Sequence, residues 1–340
     1  MIQAFTFDDI QIVPKNGNVS SRSECKLDSW LSPSVPLKVP IVSSPMDTVT
    51  EHEMANQLWS LGAFGFIHRF MSIDEQVVQA QMTRLHQGKR VGGFAVGIKE
   101  GFDRMSALYV VGVRVFLIDV ANGYTKEALD FLDKAVEKFN DCAIVYGSVA
   151  TKEGAYEAAI RGAYAVRVGI GNGSNCTTRI KTGCGVPQAS AIYDIAQHHP
   201  HIYIIADGGI RTPGDVAKAL ALGASSVMVG SLFAGTREAP GEIIRQGGTW
   251  PAENLYKRYY GAASSEAKSK RGDKKNVEGV SRLVPYVGKV ERILNDICDG
   301  LRSSFSYVGA GTLGEFQEKA EFIRVTPAGM VEASPHGLLS

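Results

Sequence analysis

The sequence predicts a single (β/α)8 barrel, because eight short apolar runs alternate with helical patterns and most of the runs end in small, polar or ionisable residues. The runs fall at residues 39–44, 64–68, 94–98, 115–120, 143–148, 165–170, 202–206 and 226–230. Their nearly unbroken apolar character is that of parallel strands covered on both faces. Eight such strands are the number that closes a barrel; an open doubly wound sheet is the alternative the same alternation permits. At 340 residues the chain is long for one domain, yet barrels of this kind reach that length as one unit.

The strand ends are where chemistry is expected. They carry Ser44-Pro45-Met46-Asp47, His68-Arg69, Asp119-Val120-Ala121-Asn122-Gly123, Gly171-Asn172-Gly173-Ser174, Asp207-Gly208-Gly209 and Gly230-Ser231. In a barrel these C-terminal ends converge on one rim, where the catalytic loops are built.

Composition narrows the function class. With 44% hydrophobic and 21% charged residues the chain has the balance of a globular protein with a large core. A net charge of +1 provides no global attraction for nucleic acid or membrane, so an anionic ligand must be small and held locally. No apolar run approaches the ~18 residues of a membrane span, and residues 1–9 lack a basic-then-apolar leader, so the protein reads as cytoplasmic. The five cysteines, Cys25, Cys142, Cys176, Cys184 and Cys298, are odd in number and scattered, which argues for reduced thiols rather than disulfides or zinc.

Beyond the eighth run, residues 268–276 are almost free of apolar side chains and are expected to form an exposed loop, either a lid or a solvated excursion. The flap as a whole spans 264–280. Residues 327–340 read as a tail that is mobile or docks on a neighbouring subunit.

Three glycine-bearing segments point to a phosphorylated ligand. The run Gly169-Ile170-Gly171-Asn172-Gly173-Ser174 lets backbone amides turn inward on an anion, and Asp207-Gly208-Gly209 and Gly230-Ser231 follow strands seven and eight, where barrels often bind phosphate. Cys176 lies in the polar stretch Ser174-Asn175-Cys176-Thr177-Thr178-Arg179, the setting of a reactive rather than a packed thiol. Cys25, Cys142 and Cys298 read as core, and Cys184 as a lesser competitor on the same loop.

These residues resemble the IMP dehydrogenase and GMP reductase family over nearly the whole chain. The resemblance rests on Ser43-Ser44-Pro45-Met46-Asp47-Thr48-Val49, Gly65-Phe66-Ile67-His68-Arg69, Asp119-Val120-Ala121-Asn122-Gly123, the Cys176 loop, Ile204-Ile205-Ala206-Asp207-Gly208-Gly209-Ile210 and Tyr260-Gly261-Ala262-Ala263-Ser264. It implies that Ser174, Gly209, Gly230 and Ser231, helped by Tyr259, hold a nucleotide phosphate. Asp207 beside Gly208 would take the ribose hydroxyls. Met46, next to Ser44, would pack on the base, and Gly261, Ala262 and Ala263 would read the purine edge. The carbonyls of Gly171, Gly173 and Cys176 would form a monovalent-cation (K⁺) site, although Asn172 stands where the family more often has proline or serine. For the cofactor, Asp119, Val120, Ala121, Asn122 and Gly123 would lie beside the nicotinamide, with His68 and Arg69 at the neighbouring rim position. A homotetramer is also implied.

Three features favour the reductase branch of this resemblance. Residues 69–94 hold only a helix and a turn where dehydrogenases usually insert two small regulatory domains. The short, lysine-rich stretch 264–278 has no Arg-Tyr pair with which to activate water. Asp119-Val120-Ala121-Asn122-Gly123-Tyr124 matches the reductase form of the cofactor loop. Against them, Ser43 to Glu51 reads more like a dehydrogenase. The expected reaction is therefore NADPH-dependent reductive deamination of GMP to IMP and ammonia, with Cys176 as nucleophile and Thr178 and Glu278 as the proton-delivering pair. The alternatives are IMP oxidation with NAD, a reductase of a modified purine nucleotide, or a catalytically silent nucleotide-binding protein.

Overall fold

A computed structural model describes residues 2–17, 19–247, 254–261, 263–270 and 277–333. Eight parallel strands close into a barrel: β1 Ile41–Ser43, β2 Phe64–Ile67, β3 Gly93–Val96, β4 Val115–Asp119, β5 Ala143–Val149, β6 Ala165–Val168, β7 Tyr203–Asp207 and β8 Ser226–Val229. Each falls on one of the expected runs. β6 stops two residues earlier than its run because Gly169, at φ +146°, turns the chain out of the strand.

The helices follow in turn: α1 His52–Ser60, α2 Ile73–Met82, α3 Gly101–Val110, α4 Lys126–Lys138, α5 Lys152–Ile160, α6 Gln188–His198, α7 Pro213–Ala221 and α8 Val290–Val308. Their starts are written in the loops. Ser72 accepts from the amide of Glu75 at 3.1 Å while Glu75 accepts from the amide of Ser72 at 2.8 Å, and Thr125, Thr151 and Thr212 cap α4, α5 and α7 by accepting from the amides of Ala128, Gly154 and Asp215. α8 stops at Gly309, whose φ of +72° a residue with a side chain would resist. Between β2 and β3 the chain holds α2 and a two-residue-per-arm hairpin, Leu85–His86 with Lys89–Arg90.

Strand parity divides the core in two. Val42, Phe64, Phe66, Val115, Leu117, Ala143, Val145, Ala165, Ile205 and Met228 fill the barrel interior, while their neighbours Ile41, Ile67, Phe116, Ile118, Ile144, Val166, Val168 and Ile204 pack outward under the helices. An antiparallel pair, Ser29–Ser32 with Val35–Leu37, places Leu31, Val35 and Leu37 in the interior cluster and closes the barrel at the end opposite the rim. At the outer edge, Phe316 is fully buried and stacks on Phe305 of α8 with centroids 4.4 Å apart. Phe316→Ala is expected to lower unfolding stability by about 3–5 kcal/mol, measured by denaturant midpoint, because the lost ring leaves a cavity between two helices.

The segment after β8 differs from its expected form. A three-stranded antiparallel sheet, Ile244–Gln246, Asn254–Tyr260 and Ser281–Pro285, rises from the rim. Between its last two strands, Ser265–Lys270 is helical rather than loop, with residues 271–276 outside the described set. Ser264 caps the start of this helix by accepting from the amide of Ala267 at 3.1 Å, which the polar composition alone concealed. The first part of the tail is likewise helical, Pro327–Glu332, and residues 334–340 lie outside the described residues. Among the described residues no helix is long and apolar enough to cross a membrane.

Candidate active site

A cavity of about 810 Å³ opens at the C-terminal ends of the strands and collects the loops that follow β1, β2, β4, β6, β7 and β8. A second cavity of about 720 Å³ lies between α6, α7 and the antiparallel pair Ile10–Ile12 with Phe322–Arg324. It holds no cysteine and none of the strand-end residues, so the chemistry belongs to the first.

Cys176 sits on the β6 loop beneath the flap. It forms a bridge with Gly279, and the amide of Thr177 donates to the carbonyl of Glu278 at 3.1 Å, so the two segments are stitched together. The side chains continue the seam. The Cys176 thiol donates to Thr178 Oγ1 at 3.2 Å, and the Thr178 hydroxyl donates to Glu278 Oε2 at 2.6 Å. A nucleophile, a hydroxyl relay and a carboxylate thus form one hydrogen-bonded chain between residues a hundred positions apart. Arg179 is half-buried on the same loop, with Nη2 turned to the carbonyl of Val186; burial lowers its pKa and Cys176 opposes that shift.

The residues expected to hold a phosphate meet at one end of the cavity. Ser44, Met46 and Tyr259 surround Gly230 so closely that a Cβ there would lie 2.8 Å from Ser44 Oγ and 3.1 Å from the Tyr259 hydroxyl. Ser174 Oγ lies 3.4 Å from that same hydroxyl. Gly208 and Gly209, both at positive φ, turn the chain after β7, and Ser231 opens the short helix Ser231–Ala234. Gly261 and Ala263 line the cavity beside the flap; Ala262 lies outside the described residues. Gly208→Ala is expected to weaken nucleotide binding tenfold or more in equilibrium titration. Its φ of +97° disfavours a side chain, and a Cβ would meet the Asn172 backbone at 2.8 Å, so about 1–3 kcal/mol of strain would move the loop.

The structure divides the residues expected beside a cofactor. Arg69, Asp119, Val120 and Ala121 line the cavity, with Arg69 Nε donating to Asp119 Oδ2 at 3.0 Å. His68 does not reach it: its ring is buried, accepts from the amide of Phe70 at 3.1 Å and faces Glu51 at 3.3 Å. Both residues lie past the end of β2 at Ile67, so their directions are set by the contacts of the loop rather than by the strand. Asn122 is exposed and accepts from the amide of Tyr124. Gly123 is buried behind the rim, its carbonyl taking the Tyr146 hydroxyl at 2.6 Å.

Sequence reasoning missed three contributors. Arg167, inside an apolar strand, has a side chain 9% exposed and donates from Nη2 to Asp119 Oδ1 at 2.6 Å. Its signal was available, because a lone arginine in a buried strand must find a carboxylate. The N-terminal turn Phe7–Asp9 brings Asp8 to the cavity edge, where it pairs with Arg211. Asn175 is also buried at the cavity, donating from Nδ2 to the Tyr259 carbonyl at 3.4 Å. The carboxylates differ in character. Burial works against the charge of Asp119, but Arg167 and Arg69 outweigh it and hold this carboxyl below the usual range. Burial raises the Asp207 carboxyl above that range, with Arg167 opposing and Asp119 adding to the shift.

Residues 4–336 match the family model described as the IMP dehydrogenase / GMP reductase domain. The chain belongs to this family. It is similar to GMP reductase 1 of Mus musculus, 37% identical over 332 residues covering 94% of both chains. The inosine-5'-monophosphate dehydrogenase of Cryptosporidium parvum is 36% identical over 388 residues, covering 98% of this chain and 95% of that protein. That of Aquifex aeolicus is 45% identical over 257 residues, covering 72% of this chain and 51% of that protein. As a member of the IMP dehydrogenase / GMP reductase family the protein is an oxidoreductase of purine metabolism, in a family that uses nicotinamide cofactors.

Proposed function

We propose that the protein is a GMP reductase that converts GMP, NADPH and a proton to IMP, ammonia and NADP⁺. The hydrogen-bonded chain from Cys176 through Thr178 to Glu278 carries this reading, together with a flap sequence that has no Arg-Tyr pair to activate water.

Cys176 adds to carbon 2 of the purine and its proton passes through Thr178 towards Glu278. Glu278, through the same hydroxyl, returns a proton to the amino group, which leaves as ammonia and gives a thioimidate. Protonating this poor leaving group is the task that needs a positioned acid. When bound, the dinucleotide supplies the hydride that replaces sulfur at carbon 2. Gly230, Ser231 and Ser174 hold the phosphate, and Asp207 accepts from the ribose diol with both oxygens. Asp119, with Arg69 paired to it, faces the nicotinamide half, and the choice of NADPH over NADH rests on the family resemblance.

A monovalent cation fits the β6 loop. The carbonyls of Gly171, Gly173 and Cys176 are hard oxygen donors, and the buried Oδ1 atoms of Asn172 and Asn175 on the same loop have no hydrogen-bond donor. The homotetramer belongs to the same reading and is tested by sedimentation velocity.

Oxidation of IMP with NAD⁺ is the second reading, favoured by Ser43 to Glu51 and by the 45% identity to the Aquifex dehydrogenase. Purified protein is assayed with GMP plus NADPH and with IMP plus NAD⁺, following absorbance and ammonia. Ammonia release in the first mixture supports reductive deamination; turnover in the second alone overturns it. Rapid turnover of a deazapurine nucleotide with GMP a poor substrate would reassign the substrate.

A further inference from the structure

Strand parity puts three ionised side chains in the top layer of the barrel interior. Asp119 closes β4, Arg167 is the third residue of β6 and Asp207 closes β7, each on the inward face set by Leu117, Ala165 and Ile205. Gly147 of β5 lies between them, in register with Asp119 on one side and Arg167 on the other. A Cβ at Gly147 would stand 2.6 Å from Arg167 Cβ and 2.7 Å from its carbonyl oxygen. The glycine therefore leaves the space over which the guanidinium reaches Asp119.

Arg167 engages the two carboxylates unequally. Nη2 donates to Asp119 Oδ1 at 2.6 Å, while Nε lies 3.8 Å from Asp207 Oδ2, is buried and has no hydrogen-bond acceptor. Arg69 completes the group through Asp119 Oδ2. A guanidinium this far from water is tolerable only where carboxylates balance it, and removing it would leave them facing each other. No part of the proposed chemistry uses it.

We propose that Arg167 is a positioning residue, the common counter-ion that holds Asp119 on the dinucleotide side and Asp207 on the ribose side of the site. This rests on the assignment of those two faces under Proposed function. Without Arg167 the groups facing Asp207 are Asp119 of β4 and, from the antiparallel sheet, Tyr259, while Arg69 neutralises only Asp119. Asp207, already raised by burial, then takes up a proton as pH falls, and a protonated carboxyl accepts less well from two hydroxyls.

The test is equilibrium binding of GMP and of IMP from about pH 6 to 8, expressed as the ratio of variant to wild-type Kd so that the titration of the ligand phosphate cancels. For Arg167→Met the ratio should rise tenfold or more from the alkaline to the acid end. Arg167→Lys, which keeps the charge, should show a nearly flat ratio. Asp119→Asn, which keeps Arg167 and relieves the like charge, should also be flat and serves if Arg167→Met fails to fold. A flat Arg167→Met ratio with intact wild-type binding, or a steep ratio in Arg167→Lys or Asp119→Asn, overturns the proposal alone. A wild-type protein that binds neither nucleotide overturns the functional reading and the proposal with it.

Discussion

Cys176→Ala is expected to lower turnover by roughly 10⁴-fold or more while leaving the Kd for GMP within a few fold of wild type. Alanine removes the sulfur and leaves the β6 loop in place, because the loop is held by backbone contacts: the Cys176 amide donates to the Gly173 carbonyl at 3.0 Å and the Val280 amide to the Asn175 carbonyl at 3.0 Å. Those bonds survive the substitution. Nucleotide binding, which the proposed function draws from Ser44, Gly208, Gly230 and Ser231, should survive with them. Intact-mass spectrometry during turnover provides the independent check, since a covalent adduct should accumulate on the wild-type chain and be absent from the variant. Residual activity within tenfold of wild type would remove the covalent mechanism. Cys184, exposed on the same loop, is the control, and Cys184→Ala should keep wild-type turnover.

Glu278→Gln should cost about 10²- to 10⁴-fold in kcat, the usual contribution of a positioned acid, with little change in nucleotide affinity. Glutamine keeps the size of the side chain and still accepts the 2.6 Å bond from Thr178, but it has no proton to return to the departing amine. The loss should therefore fall on ammonia release. Thr178→Val, which breaks the relay without touching the carboxylate, should produce a loss of the same kind. If Glu278→Gln instead raises KM for GMP with kcat unchanged, the carboxylate is a binding group and the proton comes from elsewhere. A kcat loss in both variants, with Kd for GMP preserved, is the pattern the chain of hydrogen bonds requires.

Much of this site was legible before any coordinates. The barrel follows from the period of the apolar runs, because a strand buried on both faces must be apolar throughout and the intervening helices must cover it. Glycines at 208, 209 and 230 were legible for a related reason: only glycine accepts the positive φ of the β7 turn or the crowding by Ser44 and Tyr259 at position 230. Cys176 stood out because it follows a glycine-rich loop at a strand end, whereas Cys25, Cys142 and Cys298 read as core thiols; all three are buried. Other features were hidden by composition. The helix at Ser265–Lys270 looks like loop because its residues are polar on every side, and the sheet that carries Tyr259 has strands whose burial comes from packing against the rim.

The sequence by itself determined the strand count, the family and the identity of the rim residues, since these depend on local pattern and on residue chemistry. Only the tertiary structure decided which way the side chains point and what they meet. Two adjacent residues, His68 and Arg69, are equal candidates along the chain, yet the loop after β2 carries one into a buried contact with Glu51 and the other to Asp119. Arg167 is an anomaly in an apolar strand until the sheet register brings it Asp119 of β4, across Gly147 of β5, and Asp207 of the adjacent β7. Glu278 among lysines is an ordinary surface acid by composition, and becomes an acid of the site only where the flap returns over Cys176. The physical reason is common to all three. A side chain's charge and hydrogen-bonding capacity are local properties, whereas the partner that gives them a task is brought from a distant part of the chain by barrel closure and strand register.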